Sequence, residues 1–305
     1  NKILKPNKEI LIVGGTGFIG YHLAKRCIKE GWKVTSISTN KPKKTRYLKQ
    51  IRYLICDITK KNFLSRQLRD NFSYVVNLGG YVDHANKIKT YNSHYLGCKN
   101  LTEVFLEKKL KTFVQIGSSS EYGNLPSPQK ESDNCKPKLT YGKSKLLATK
   151  HLMSLNKEKN FPSVILRLYQ AYGPAQDLNR FLPIIISGCL KDKKFPCSEG
   201  KQFRDFIYVE DVVNAILKSL KNRKALGEII NIGTGKTQKI RTVIENVKNL
   251  SKGGKPQFGK IKLRKDETLK IYPNISKAKK KLNWKPKFSF KKGLANTIRF
   301  YEKSK

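Results

Sequence analysis

Short apolar runs alternate with stretches in which apolar side chains recur at helical spacing, and the alternation is regular through the first half of the chain. The runs at 10–14, 33–37, 52–55, 73–78, 112–117 and 162–168 are too short for helices and predict strands. Between them the spacing predicts helices over 18–30, about 61–70, 92–109 and 141–159. Such β-α-β repetition predicts an α/β protein with a doubly wound parallel sheet covered by helices on both faces. Ligands of these sheets bind beyond the carboxyl ends of the strands. After about residue 169, loops at 173–180, 195–204 and 253–259 separate shorter elements, which predicts a smaller lobe. The apolar pattern of 209–220 reads as one more sheet-covering helix. We therefore expect a cofactor unit of residues 1–168 and 205–233, and a C-terminal substrate lobe of 169–204 and 234–305.

The first predicted strand runs straight into glycines, as Ile10-Leu-Ile-Val-Gly-Gly-Thr-Gly-Phe-Ile-Gly20. Gly14, Gly17 and Gly20 suit a tight turn, close approach of backbone to a pyrophosphate, and close packing of helix on strand. The helix that follows would point its N-terminal amides at the phosphates. Tyr141-Gly-Lys-Ser-Lys145 opens a later helical segment and sets a phenol and an ammonium one turn apart. The ammonium is expected to lower the pKa of the phenol, so that Tyr141 can give or take a proton near neutral pH. Upstream, Phe113-Val-Gln-Ile-Gly-Ser-Ser-Ser-Glu-Tyr-Gly123 is a strand ending in serines, whose hydroxyls can hold a substrate oxygen or satisfy their own loop.

The G-x-x-G-x-x-G turn and the Y-x-x-x-K pair, about 120 residues apart, resemble the extended short-chain dehydrogenase/reductases, and within them the NAD-dependent epimerase/dehydratase family acting on nucleotide sugars. Further ordered matches are Cys56-Asp57-Ile58, Leu166-Arg167-Leu168-Tyr169 with Tyr172-Gly173-Pro174, Arg204-Asp-Phe-Ile-Tyr-Val-Glu-Asp211, Asn231-Ile-Gly-Thr-Gly235 and Leu282-Asn-Trp-Lys-Pro286. The resemblance implies a Rossmann-type fold with Ser118, Tyr141 and Lys145 as the catalytic set, Ser119 being the alternative to Ser118. It implies cofactor contacts from Gly14, Thr16, Gly17, Phe18, Ile19, Gly20, Asp57, Ile58, Leu78, Gly79 and Gly80. It places Ser119, Asn179, Arg180 and Arg204 on a nucleotide-diphosphate sugar, and it implies a homodimer.

Departures from the family pattern narrow the expectation. The second strand ends in Ser38-Thr39-Asn40-Lys41, followed by Lys43, Lys44 and Arg46, where NAD-preferring members place a carboxylate. Hydroxyls and cations there suit a 2′-phosphate, so NADP is the expected cofactor and NAD the alternative. Ser119-Ser120 stands where 4,6-dehydratases carry Asp-Glu, and Glu121 lies one position beyond the decarboxylase Glu, which disfavours both reactions. His94 and Gln170 replace family asparagines, and Asn77-Leu-Gly-Gly80 replaces the H-x-A-A loop. His84 reads as a solvated loop histidine, with an extra acid/base as the sharper reading. The expected reaction is epimerisation or 4-ketoreduction, with dehydration or decarboxylation as alternatives.

Charge adds little to this picture. The formal net charge of +42 comes from 64 Lys and Arg against 22 Asp and Glu, and the lysines are scattered over every polar segment. No aromatic-basic module recurs, so a non-catalytic nucleic-acid-binding role rests on charge alone. The six cysteines lack C-x-x-C or zinc spacing, no metal site is expected, and no run has membrane-spanning length. With residues 1–9 polar rather than signal-like, these features lead us to expect a cytoplasmic enzyme.

Overall fold

The computed structural model describes residues 8–80 and 84–304, so the stretches 1–7 and 81–83 and residue 305 lie outside the described residues. In chain order the first half holds β1 (Glu9–Val13), α1 (Phe18–Lys29), β2 (Lys33–Ser38), β3 (Arg52–Ile55), α2 (Lys61–Gln67), β4 (Tyr74–Asn77), α3 (Lys87–Tyr91), a π turn (Asn92–Leu96), α4 (Gly97–Leu106), β5 (Thr112–Ser118), α5 (Thr140–Lys159) and β6 (Ser163–Leu168). The second half holds β7 (Gln170–Tyr172), α6 (Phe181–Leu190), β8 (Lys194–Pro196), β9 (Phe203–Arg204), β10 (Phe206–Tyr208), α7 (Val209–Lys221), β11 (Ile229–Ile232), β12 (Gln238–Lys239), α8 (Ile240–Ser251), β13 (Lys255–Gln257), β14 (Lys270–Ile271), α9 (Ser276–Leu282) and α10 (Phe290–Lys303).

Seven strands form one parallel sheet in the order β11-β6-β5-β4-β1-β2-β3. The Rossmann-type doubly wound fold expected from the sequence is thus present. Alternation along β1 divides the core. Ile10 and Ile12 face α1 and α7 through Leu23, Ala24, Val212 and Ile216. Leu11 and Val13 face α4 and α5 through Cys98, Leu101, Ala148 and Leu152. Burial on both faces is why these strands read as continuous apolar runs. Trp284 and Leu282, from the C-terminal segment, pack with the α1/α7 side. A third cluster joins Tyr172, Ile186, Phe195, Phe206, Val243, Ile244, Leu294 and Ile298, and it builds the wall facing the ends of the strands.

Chain order reverses at β1, which lies between β2 and β4. Connections from the two neighbours leave towards opposite faces, and a crevice opens at the carboxyl ends. The structure departs from the sequence expectation at one helix. The segment predicted over 92–109 begins at Lys87, capped by the Asn86 side chain, which accepts from Lys89 N at 3.0 Å. It then passes through the π turn before α4. Ile88 is exposed, so the first turn has no apolar face to read.

Candidate active site

The glycine turn has the shape its sequence predicted. Gly14 has φ +83°, and a Cβ there would stand 3.0 Å from the carbonyl of Leu78. A Cβ on Gly20 would stand 2.3 Å from the Gly14 oxygen, so only glycine lets α1 approach β1 this closely. Helix α1 starts at Gly17 with no side-chain cap and no acidic residue in its first turn. Its leading amides and positive dipole end therefore suit an anion.

Two contiguous cavities extend from this turn, sharing Gly14, Gly17, Leu78, Gly80, His84 and Arg180 as walls. The outer one, about 960 Å³, is lined by Thr16, Ser38, Thr39, Asn40, Asp57, Ile58, Gly79 and Asn179. Asp57 is fixed there by Thr59, whose backbone N–H donates at 2.9 Å and whose hydroxyl donates at 2.7 Å. Ser38 Oγ is buried without a hydrogen-bond partner. That orphaned hydroxyl, the side-chain-free cradle at Gly14 and Gly20, and the uncapped helix start fit a dinucleotide.

Two of the cations expected beyond Ser38, Lys43 and Arg46, are engaged elsewhere. Lys43 pairs with Asp177 at 2.9 Å. Arg46 is buried, donates to Ala175 O at 2.6 and 3.1 Å and to Thr16 O at 3.4 Å, and pairs with Asp177 at 3.0 Å. Lys41 is exposed. Arg46 thus ties the glycine turn to the 175–177 loop. A partner 131 residues away gave no signal in the local sequence.

The inner cavity, about 520 Å³, holds Phe18, Ile19, Gly20, Ser118, Tyr141 and Lys145, with Gln170, Asp177 and Phe206 opposite. Ser118 ends β5, and its hydroxyl accepts from Ser120 N at 3.1 Å; the Tyr141 phenol shares the inner cavity with it. Burial pushes that phenol above its ordinary range and nearby Glu121 adds to this, while Ser118 and Arg180 pull it down. This corrects the expectation that Lys145 sets a lowered phenol. The Lys145 ammonium donates to Ile116 O at 2.8 Å, and burial lowers its own pKa to about 8, opposed by Glu121.

His84 departs from the solvated-loop reading: although exposed, its ring stacks on Tyr141, with centroids 4.0 Å apart and planes 12° apart. His94 meets the same phenol edge-on, at 5.0 Å and 77°. Glu121 is fully buried. It accepts from Ser118 N at 2.8 Å and Thr149 Oγ1 at 2.6 Å, and it pairs with Arg167 at 3.1 Å. Arg167 in turn lies over the Tyr122 ring, 4.7 Å from its centroid.

The structure thus gathers Ser118, Tyr141 and Lys145 with the glycine turn and Arg180, and it sets Asn179 in the outer wall. Ser119, on the turn after β5, is half-buried beside Ser118. Arg204 lies apart from these walls, paired with Glu267 at 2.8 Å and donating to Phe203 O at 2.9 Å.

A model of the NAD dependent epimerase/dehydratase family matches residues 10–233. The chain belongs to that family. As a member it is an NAD(P)-dependent enzyme. It is 28% identical to a CDP-abequose synthase of Salmonella muenchen, over 98% of this chain and 100% of that one. Identity is also 28% to an uncharacterized UDP-glucose epimerase of Bacillus subtilis, over 96% of this chain and 97% of the other. Among solved structures, a UDP-glucose 4-epimerase of Thermotoga maritima with UDP-glucose superposes with a TM-score of 0.91 at 25% identity, covering 97% and 99% of the two chains. A UDP-glucuronic acid 4-epimerase of Bacillus cereus, in complex with UDP-glucuronic acid and NAD, gives 0.86 at 26% identity, covering 97% and 100%. Among the described residues no helix is long and apolar enough to cross a membrane.

Proposed function

We propose that the protein is a nucleotide-sugar 4-epimerase or 4-ketoreductase in which Tyr141 moves the proton at the reacting sugar oxygen. The observation that carries this reading is the gathering of Ser118, Tyr141 and Lys145 in the inner cavity, beside a Glu121 carboxylate wholly engaged elsewhere. Oxidation of a carbinol, or reduction of the corresponding ketone, needs one proton relay at one oxygen. Elimination of water, or loss of a carboxyl group, calls for a further acid or base at a second position. Among the described wall residues of the inner cavity, Asp177 is the carboxylate, and it is bound to Lys43 and Arg46.

A bound dinucleotide would supply the hydride acceptor or donor through its nicotinamide. Ser118 holds the sugar oxygen against the phenol, and Tyr141 takes or returns its proton. Lys145 holds the cofactor ribose through the ammonium that now rests on Ile116 O. Arg180, which lines both cavities, and Asn179 meet the nucleotide, with Ser119 beside Ser118 as a further contact, whereas Arg204, apart from both cavities, is left out of this reading.

The cofactor is read as NADP(H), with NAD the alternative. Ser38, Thr39 and Asn40 offer hydroxyls and an amide at the ribose end, and no carboxylate. A 2′-phosphate meets no like charge there. Ser38→Asp should then weaken NADP(H) binding more than tenfold and spare NAD(H); equal effects on both would overturn the preference. Exposed Ile88, Tyr91 and Leu147, on the packed helices α3 and α5, support a homodimer, which sedimentation tests. Six free thiols, with no disulfide, support a reducing, cytoplasmic setting.

The experiment is a panel of UDP-glucose, UDP-glucuronic acid, CDP-glucose, GDP-mannose and dTDP-glucose with either dinucleotide, read by product NMR and absorbance at about 340 nm. Epimerisation with no net cofactor change identifies an epimerase. Stoichiometric oxidation of NADPH with the corresponding 4-keto sugars identifies a reductase. Loss of water or carbon dioxide would overturn both.

A further inference from the structure

Two imidazoles bound the phenol of Tyr141, and they come from different elements. His84 follows β4 and covers one face of the ring, nearly parallel to it. His94 sits in the π turn and meets the ring edge-on. The two imidazoles also lie 6.1 Å from each other, at 72°. Parallel and edge-on arrangements are the favoured geometries of aromatic pairs. Together they restrain a ring whose terminal torsion is otherwise broad.

Gly80 makes room for this arrangement. It has φ +155°, and a Cβ there would stand 1.9 Å from His94 Cε1. The imidazole thus occupies the space that any side chain at 80 would need. His94 lies within the π turn, between α3 and α4. His84 is exposed, so its contact with Tyr141 is not part of the core. Arg180 and Lys145 also line the inner cavity, and the Glu121 charge acts on the phenol.

We propose that His84 and His94 form an imidazole clamp, admitted by Gly80, that positions the phenol of Tyr141 so that its hydroxyl stays at Ser118. This rests on the reading of Tyr141 as the proton-transfer residue. His84 and His94 are positioning residues acting through that phenol. A reacting group misplaced by 1 Å can lower a rate by about 10²-fold, so loosening the ring should appear in kcat.

The test uses the full chain with whichever panel sugar the wild type turns over. His84→Ala and His94→Ala should each lower kcat by about tenfold or more, with dinucleotide Kd and sugar KM within about threefold of wild type. His84→Phe, a flat ring that stacks but does not ionise, should recover kcat to within about threefold. Independently of any sugar, the ultraviolet titration assigned to Tyr141, as wild type minus Tyr141→Phe, should move to lower pH in His84→Ala, because the uncovered ring is better hydrated. An unchanged kcat in His84→Ala, or a His84→Phe variant no better than His84→Ala, overturns the clamp. Wild-type turnover by Tyr141→Phe would instead overturn the reading of the site itself. An inactive Tyr141→Phe beside an unaffected His84→Ala removes the clamp alone.

Discussion

Replacing Glu121 by glutamine tests whether that carboxylate is a structural anchor or a catalytic acid. The side chains of Glu121 and Arg167 are 0% and 3% exposed, and their contact is 3.1 Å. One carboxylate oxygen accepts from Thr149 and Arg167, and the other accepts from Ser118 N. A glutamine has one acceptor oxygen and one donor nitrogen. In either orientation its NH₂ meets a donor, the Ser118 N–H or the Arg167 guanidinium. Removing one partner of a buried ion pair costs about 3–5 kcal/mol, because the other charge stays buried without compensation. Denaturant unfolding of Glu121→Gln should show a loss of that size, with a fall in melting temperature on the order of 5–10 °C. Glu121→Leu combined with Arg167→Met should recover at least half of it, since an apolar pair of similar volume is often neutral. A Glu121→Gln protein within about 1 kcal/mol of wild type yet devoid of turnover would refute the structural assignment and restore Glu121 as an acid.

Three further outcomes follow from the cofactor side. Gly20→Ala puts a methyl group 2.3 Å from the Gly14 oxygen. The forced separation of α1 from β1 should cost about 1–3 kcal/mol and remove dinucleotide binding measured by fluorescence. Lys145 carries a pKa lowered by burial to about 8 from its ordinary 10.5. Between those values the unfolded chain binds a proton that the folded chain does not, so Lys145 makes folding stability rise with pH across that window. Lys145→Met should flatten the rise in pH-dependent denaturation. In the wild type, dinucleotide affinity should fall as pH passes upward through about 8, as the ribose loses its ammonium donor.

The sheet was legible because the forces that build it are local. Strands β1, β2, β3 and β5 fall within a residue of the apolar runs that predicted them, and α1 and α5 begin within a residue of their expected starts. Tyr141 and Lys145 were legible because helical spacing fixes their relation on one chain segment. What escaped was set by distant partners or by depth. The Lys43 and Arg46 pairs depend on Asp177, across more than 130 residues, so a basic stretch that looked free for a phosphate is partly occupied. The phenol of Tyr141 responds to burial more than to the ammonium one turn away, and burial is not written in a local motif. Strand β11 escaped because Ile229–Ile232 is too short to stand out until β6 pairs with it. The π turn escaped because the apolar period carries no mark of the extra residue. With it went the placing of His94 against Gly80, which explains why the loop after β4 carries glycine there.

The central claim is that Tyr141 performs proton transfer at a nucleotide-sugar oxygen, and Tyr141→Phe tests it most directly. Turnover of the panel sugar should be measured in wild type and variant, with dinucleotide binding followed in the same samples. The account predicts unchanged dinucleotide binding and a fall in kcat of about 10²–10⁴-fold, the usual scale for losing a positioned acid/base. Turnover within a few fold of wild type, with the dinucleotide still bound, would contradict it.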